Sequence, residues 1–460
     1  LTCPGNIVQI YCFNTPGESK VIMPSGFQYL NRDEAAAALC AAAGEAVVIE
    51  NVGYVYPRHE VVPLAPRITS LKDGLACVLM DMDGTTTTTE NLCLDALETM
   101  IRRMTGHEGD AAWSIDSEAD HPNLIGNSAT KHVEYLVRKY GHEVCPEAFR
   151  SAYLQAAAYG MALAPDPQRR RELLENGEAI DSRAFMSTPQ FLAWGEAIAA
   201  AAPQSAAMDQ AVLAEAPALR LESIPNQVRA GLDIYYHRYH HLMANLAGYE
   251  GGTPLISPMP GVGILLALLK GWLGTDADAC CDGLAAGNPA LLDAGSHDRF
   301  GRLSRRFEEE PIRVALVTSS TGWETEQILS EVFRQLRGEV GEWPVSDAVK
   351  FRIQEGFAAH RIYFDAIVTA SDSTEMRLKP HRDLYAIAIQ QLGLTQAQRA
   401  QTIGFEDSAV GCLALRAAGI GLACALPWTE SAGMDYSAAS VICHGGLPEA
   451  LLRHSLFLSS

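Results

Sequence analysis

Asp81 and Asp83 stand two positions apart where an apolar run, Cys77 to Met80, gives way to Gly84 and a string of threonines beginning at Thr85. In an extended chain the side-chain period of two turns both carboxylates to one side and Met82 to the other. Convergent acids can share work as nucleophile and proton carrier, or hold a hard cation between them. Three later stretches also end in reactive groups. The run from Val314 to Val317 leads into the hydroxyls of Thr318, Ser319 and Ser320. Lys379, fixed by the proline after it, offers a compact positive charge at a helix start. Finally, Thr402 to Phe405 delivers Glu406 and Asp407, a second carboxylate pair suited to a divalent cation such as Mg²⁺.

One device positions all of these groups. A short continuous apolar run that stops at polar residues reads as a buried parallel strand ending in a functional loop. Ligands of open α/β sheets bind at such strand ends. The expected class is therefore α/β, with a parallel sheet. After Glu90 the pattern changes. Leu94, Leu97, Met100, Ile101 and Met104 follow helical spacing, and helical patterns recur over 131–140, 149–161 and 191–201. This insertion extends to about residue 254. Residues 271–310 read as a surface loop with some helix. The first 75 residues show β-like runs at 7–13 and 47–55 around a helical stretch at 33–43, and then an extended connector through Pro57, Pro63 and Pro66. After Asp407, a helix through Ala418, a strand from Leu422 to Leu426 and a final strand and helix complete the chain.

With 35 basic against 55 acidic residues the chain carries a net charge of −20, which argues against nucleic-acid and anionic-membrane surfaces. A phosphate ligand would need a local cation or metal. The 11 cysteines are dispersed and contain no Cys-x-x-Cys, so neither a zinc site nor a disulfide framework is expected. Reduced thiols in a cytoplasmic protein fit this pattern. The longest strongly apolar run, 262–269, is too short to span a bilayer. His237 and His241 have helical i, i+4 spacing, but with no recognisable third ligand they read as packing or surface groups.

Asp81-Met-Asp-Gly-Thr85, Thr318, Lys379-Pro380 with Asp383 and Tyr385, and Glu406-Asp-Ser408 occur in the order of the four motifs of the haloacid dehalogenase (HAD) superfamily, and the chain resembles that family. The resemblance implies a Rossmannoid core over 76–90, 257–270 and 311–460, a helical cap over 91–256, a core insertion at 271–310 and an appended segment at 1–75. It implies Asp81 as nucleophile, Asp83 as general acid and base, and Thr318 and Lys379 as groups that meet the transferring phosphoryl. Mg²⁺ would be held by Asp81, Asp83 through its carbonyl, Asp407 and Glu406. Gly84, Thr85 and Ser319 would contact substrate. From the cap, the Gly126-Asn-Ser128 loop resembles a substrate loop of β-phosphoglucomutase-like members, although Ala129 stands where they have arginine. Ser128 reads equally well as a helix N-cap. Arg238 is the cap residue expected to reach a phosphate.

Within that resemblance, an aspartate at 83 implies phosphate esters rather than C–Cl or C–P bonds as substrates. The expected activity is a Mg²⁺-dependent phosphatase of a small phosphorylated metabolite. A hexose phosphomutase and a non-catalytic phosphate-binding module are the alternatives.

Overall fold

The computed structural model describes residues 33–37, 44–51, 56–110, 112–124, 128–163, 167–201, 205–246, 254–374, 377–428, 431 and 433–458. The chain divides into two compact units, Leu1–Pro66 and Arg67–Ser460. In the first, β1 (Ala46–Glu50) pairs antiparallel with β2 (His59–Pro63). Residues 33–37 are helical. The β-like run at 7–13 and the rest of the helical stretch at 33–43 lie outside the described residues.

The second unit is built on six parallel strands: β3 (Cys77–Asp81), β4 (Arg313–Val317), β5 (Ala366–Val368), β6 (Thr402–Glu406), β7 (Leu422–Ala425) and β8 (Val441–Ile442). Their order across the sheet is β5-β4-β3-β6-β7-β8. The chain steps outward from β3 to β5, then returns to the other side of β3 and steps outward again. The reversal falls between β3 and β6, and there the crossovers leave a crevice beyond the strand ends. Asp81 closes β3 and Glu406 closes β6, so the two acidic motifs meet at that crevice.

Burial on both faces explains why these strands are apolar throughout. Val78, Met80, Val314, Leu316, Ile403 and Phe405 join the larger core. Their neighbours Cys77, Leu79, Ala315 and Val317 face the opposite way, toward Leu384, Tyr385 and Leu415 of the Asp383–Gln391 and Ala409–Ala417 helices. Residues 67–75, assigned above to the appended segment, run along the sheet unit: Ile68 donates to the Gly421 carbonyl and Leu71 to that of Phe457.

The described residues between 90 and 246 are mostly helical. The Ile224–Met243 helix packs against Glu90–Thr105, Ala129–Tyr140 and Pro146–Leu163, and the last of these packs against Pro189–Ala199. Small residues let that final pair approach: a β-carbon at Gly195 would run into the Ala158 carbonyl. One arginine and one aspartate are buried here together. Arg169 pairs with Asp233, which also accepts from Asn176 (3.1 Å). Burial carries the Asp233 carboxyl up to about 6 despite the arginine.

The 271–310 segment, expected as a surface loop with some helix, packs its helix into the core. Its Ser296–Glu309 helix buries Phe300, Leu303 and Phe307, a helical stripe, and the Ser304 hydroxyl donates to the Gly274 carbonyl at 2.8 Å. Among the described residues no helix is long and apolar enough to cross a membrane.

Candidate active site

The threonine string after Asp83 has a local purpose. Thr86 donates its hydroxyl to the Asp81 carbonyl (2.6 Å) and Thr87 to that of Met82 (3.2 Å), while both their amides reach Met82. The loop is thereby folded back onto its own strand, with its polar backbone satisfied in a buried setting. Gly84 at φ +76° makes the turn, and a β-carbon there would run into the Asp407 carboxylate. Glycine thus lets the β3 and β6 loops close on each other.

Asp81 is 4% exposed and ion-paired with Lys379, which also lies 2.7 Å from Glu406. Tyr385 donates to Glu406, as does Ser408 (3.1 Å). Asp407 accepts from Trp428 Nε1 at 3.1 Å. Asp83 accepts from Thr89, from Thr318 (2.9 Å) and from Ser320 (3.0 Å). Four carboxylates therefore share one buried lysine.

The protonation equilibria express that imbalance. Burial, then the Glu406 charge, push Asp81 well above the usual carboxylate range against the pull of Lys379. Burial and the charges of Glu90 and Glu406 do the same to Asp407. Asp83 is raised by burial, with its three hydroxyl donors opposing. Burial works against the Lys379 charge, but Asp81 and Glu406 outweigh it and raise its pKa.

Oxygen atoms of Asp81, Glu406 and Asp407 lie within 4.8 Å of one another, and all three residues are buried. Clustered hard oxygens with surplus negative charge fit a small divalent cation such as Mg²⁺.

A cavity of about 70 Å³ opens at this crevice. On the sheet side it is lined by Asp81, Asp83, Ser319, Ser320, Lys379 and Asp407, and Glu324 borders it from the Gly322–Glu339 helix. The helical insertion closes it with Ser128, Ala129 and His132 from one helix, Tyr235, Tyr236 and Tyr239 from another, and Glu90 and Cys93 from a third. Ser128 is the N-cap of Ala129–Tyr140, yet its side chain makes no capping hydrogen bond and borders the cavity instead.

Several expected contacts fall elsewhere. Thr318 is fully buried behind Asp83, so its hydroxyl positions that acid rather than facing the cavity, and Ser319 and Ser320 take the exposed places. Gly84 and Thr85 line a separate groove on the far side of their loop. Arg238 is engaged by Asp95 at 2.7 Å and lies away from the cavity, because its helix turns the tyrosine face inward. Gly126 lies outside the described residues. His237 is packed on Tyr159, with ring centroids 4.3 Å apart, and bonds Arg103.

Sequence reasoning missed Glu90, Cys93, His132, the three tyrosines and Glu324. A signal existed for Glu324, the Thr321-x-x-Glu324 capping box that starts its helix. Its carboxyl, penalised by burial, is nonetheless held below the usual range by His240, 3.5 Å away. For His132, which burial lowers to about 4, the sequence carries no comparable mark.

Fold and site together define a doubly wound α/β protein with a carboxylate–lysine centre at its switch point, closed over by inserted helices. No family model matches the chain, and no curated protein does. Among solved structures it is similar to CbbY from Rhodobacter sphaeroides in complex with phosphate, at 14% identity over 82% of this chain and 96% of that one, TM-score 0.40. It is also similar to β-phosphoglucomutase from Clostridium difficile, at 13% identity over 83% and 95%, TM-score 0.35. A HAD family hydrolase from Deinococcus radiodurans with bound phosphate and sodium aligns at 14% identity over 84% and 98%, TM-score 0.33.

Proposed function

We propose that this chain is a phosphatase of the HAD type, hydrolysing a small phosphorylated metabolite through a phosphorylated Asp81, with Mg²⁺ as cofactor. The observation that carries the reading is the placement of Asp81 and Asp83 on one cavity, the first against Lys379 and beside Asp407, the second among three hydroxyl donors.

Asp81 attacks the phosphorus, and the bond from phosphorus to the ester oxygen breaks in line behind it. Lys379 draws the carboxylate and the incoming phosphoryl group together by charge. Asp83, whose raised pKa favours the protonated form, gives its proton to the departing alkoxide. Water then attacks the acyl phosphate, surrendering a proton to Asp83, and phosphate and the Asp81 carboxylate are released. A divalent cation held by Asp81, Glu406 and Asp407 would supply charge neutralisation for both nucleophile and phosphate. The inserted helices act as a cap that excludes water, and the small cavity favours a small ester over a protein substrate.

Among the described residues no arginine lines the cavity, which leaves a second phosphate without a partner and favours hydrolysis over a bisphosphate-dependent mutase. The test is phosphate release across a panel of sugar, nucleotide and glycerol phosphates with Mg²⁺. Asp81→Asn should lower the rate by more than about 10³-fold. Undiminished turnover in that variant overturns the reading.

A further inference from the structure

A second cluster of ligating groups lies at the far end of the sheet. Cys443 Sγ, a Glu449 carboxylate oxygen and a His454 ring nitrogen lie within 4.8 Å of one another. His454 Nε2 is 3.5 Å from Glu449 Oε1, and Cys424 Sγ is 3.6 Å from Cys443 Sγ. Both cysteines are fully buried. We propose that Cys443, Glu449 and His454, with Cys424 drawn in from beside Cys443 as a fourth ligand, form a site for a zinc-class divalent cation, distinct from the carboxylate site.

Ligand chemistry and spacing both point there. Two thiolates, an imidazole and a carboxylate suit a borderline-soft cation, whereas Mg²⁺ would refuse the sulfurs. Two sulfurs bound at about 2.3 Å in a tetrahedron stand about 3.8 Å apart. The observed 3.6 Å matches that bite and is far from a disulfide bond. The surroundings hold the ligands in place. Gly445 donates its amide to Glu449 Oε2 at 2.7 Å, leaving Oε1 for the cation. Three successive residues with positive φ, Ser455 (49°), Leu456 (53°) and Phe457 (58°), turn the chain back so that Phe457 stacks on the His454 ring at 5.2 Å. Such backbone is costly for non-glycine residues and persists where its surroundings demand it.

The site has a structural purpose. Its ligands come from β7, from the loop after β8, from the Gly446–Leu452 helix and from the turn beyond it. The edge strand β8 is only two residues long, so few ladder hydrogen bonds hold this end of the sheet. A cation joining positions 424, 443, 449 and 454 ties that edge down, and binding the folded state alone stabilises it.

The experiment uses the full chain, reduced with a non-thiol reductant and stripped by a chelator, titrated with Co²⁺ and then Zn²⁺. One equivalent of Co²⁺ should produce a near-ultraviolet thiolate-to-cobalt absorption band that Zn²⁺ abolishes, with a rise in melting temperature. Cobalt at the carboxylate site gives no such band. Cys443→Ser should lose the band and Cys424→Ser should weaken it. His454→Ala, at a side chain 37% exposed and so tolerant of change, should lower Co²⁺ affinity at least tenfold. No band in the reduced wild type, the same band in Cys443→Ser, or unchanged affinity in folded His454→Ala overturns the proposal.

Discussion

At the switch point of the sheet, Asp81, Glu406 and Asp407 are buried around one cation, Lys379, with Asp83 half-buried beside them. Within the helical insertion, Asp233 is buried with one cation, Arg169, and an amide from Asn176. Both clusters pay the desolvation cost of charge removed from water. The inserted cluster settles it internally, with Arg169 between the buried Asp233 and the more exposed Glu172, as a structural ion pair does. The cluster at the switch point does not. Burial, and then the surplus negative charge, raise Asp81 and Asp407 well above the usual range. Surplus buried charge bordering a cavity points to chemistry more than an ion pair packed among helices does.

The strongest way to sharpen that contrast is to remove a proton rather than a charge. Asp83→Asn should lower steady-state hydrolysis of an alkyl phosphate by about 10²- to 10⁴-fold. With p-nitrophenyl phosphate, whose leaving group needs little protonation, the variant should release a burst of about one equivalent of nitrophenolate and then stall at the phosphorylated enzyme. A burst-free, unimpaired progress curve removes Asp83 from the mechanism.

Lys379→Met leaves Asp81 and Glu406 facing each other without a cation. Stability should fall by roughly 3–5 kcal/mol in metal-free denaturant melts and recover in part with millimolar Mg²⁺. If Mg²⁺ restores nothing, the site does not hold it.

The balanced pair makes the opposite prediction for pH. With the folded pKa of Asp233 at about 6 and the unfolded value near 3.8, the native state holds the extra proton between those values. Stability from this group is therefore full below about pH 4 and is lost as pH rises through 6. The difference between wild type and Asp233→Asn should drop by up to about 3 kcal/mol from pH 4 to pH 7. A flat difference shows that Arg169 keeps the carboxylate ionised throughout.

Tyr236 joins the two regions, bordering the cavity while Arg169 sits 4.3 Å from its ring centroid. Tyr236→Phe retains that stack and loses the hydroxyl. It should reduce kcat/KM at most about tenfold, through KM, if the hydroxyl meets substrate.

The sheet-end chemistry was legible because each part of it is local. An apolar run ending in Asp81 and Asp83, or in Glu406 and Asp407, encodes both a strand and what the strand delivers. Parallel pairing then obliges those ends to point the same way. The cavity wall was not legible, since His132, Glu324 and Tyr236 come from separate helices and gain meaning from how those helices pack. The same limit hid the cluster at Cys424 and Cys443, whose sulfurs are brought together by strand order and not by spacing.

From its residues alone, then, this chain determined a parallel α/β core, the strand-end acids with Lys379, and a helical insertion after Glu90, because periodicity and strand termination are properties of neighbouring residues. Tertiary structure decided that Thr318 turns toward Asp83, that Arg238 is taken by Asp95, that residues 296–309 pack as an amphipathic helix and that Ser128 and the tyrosines close the site. Those outcomes depend on which side of each element is buried, and burial is settled between distant segments, after the local pattern has been satisfied.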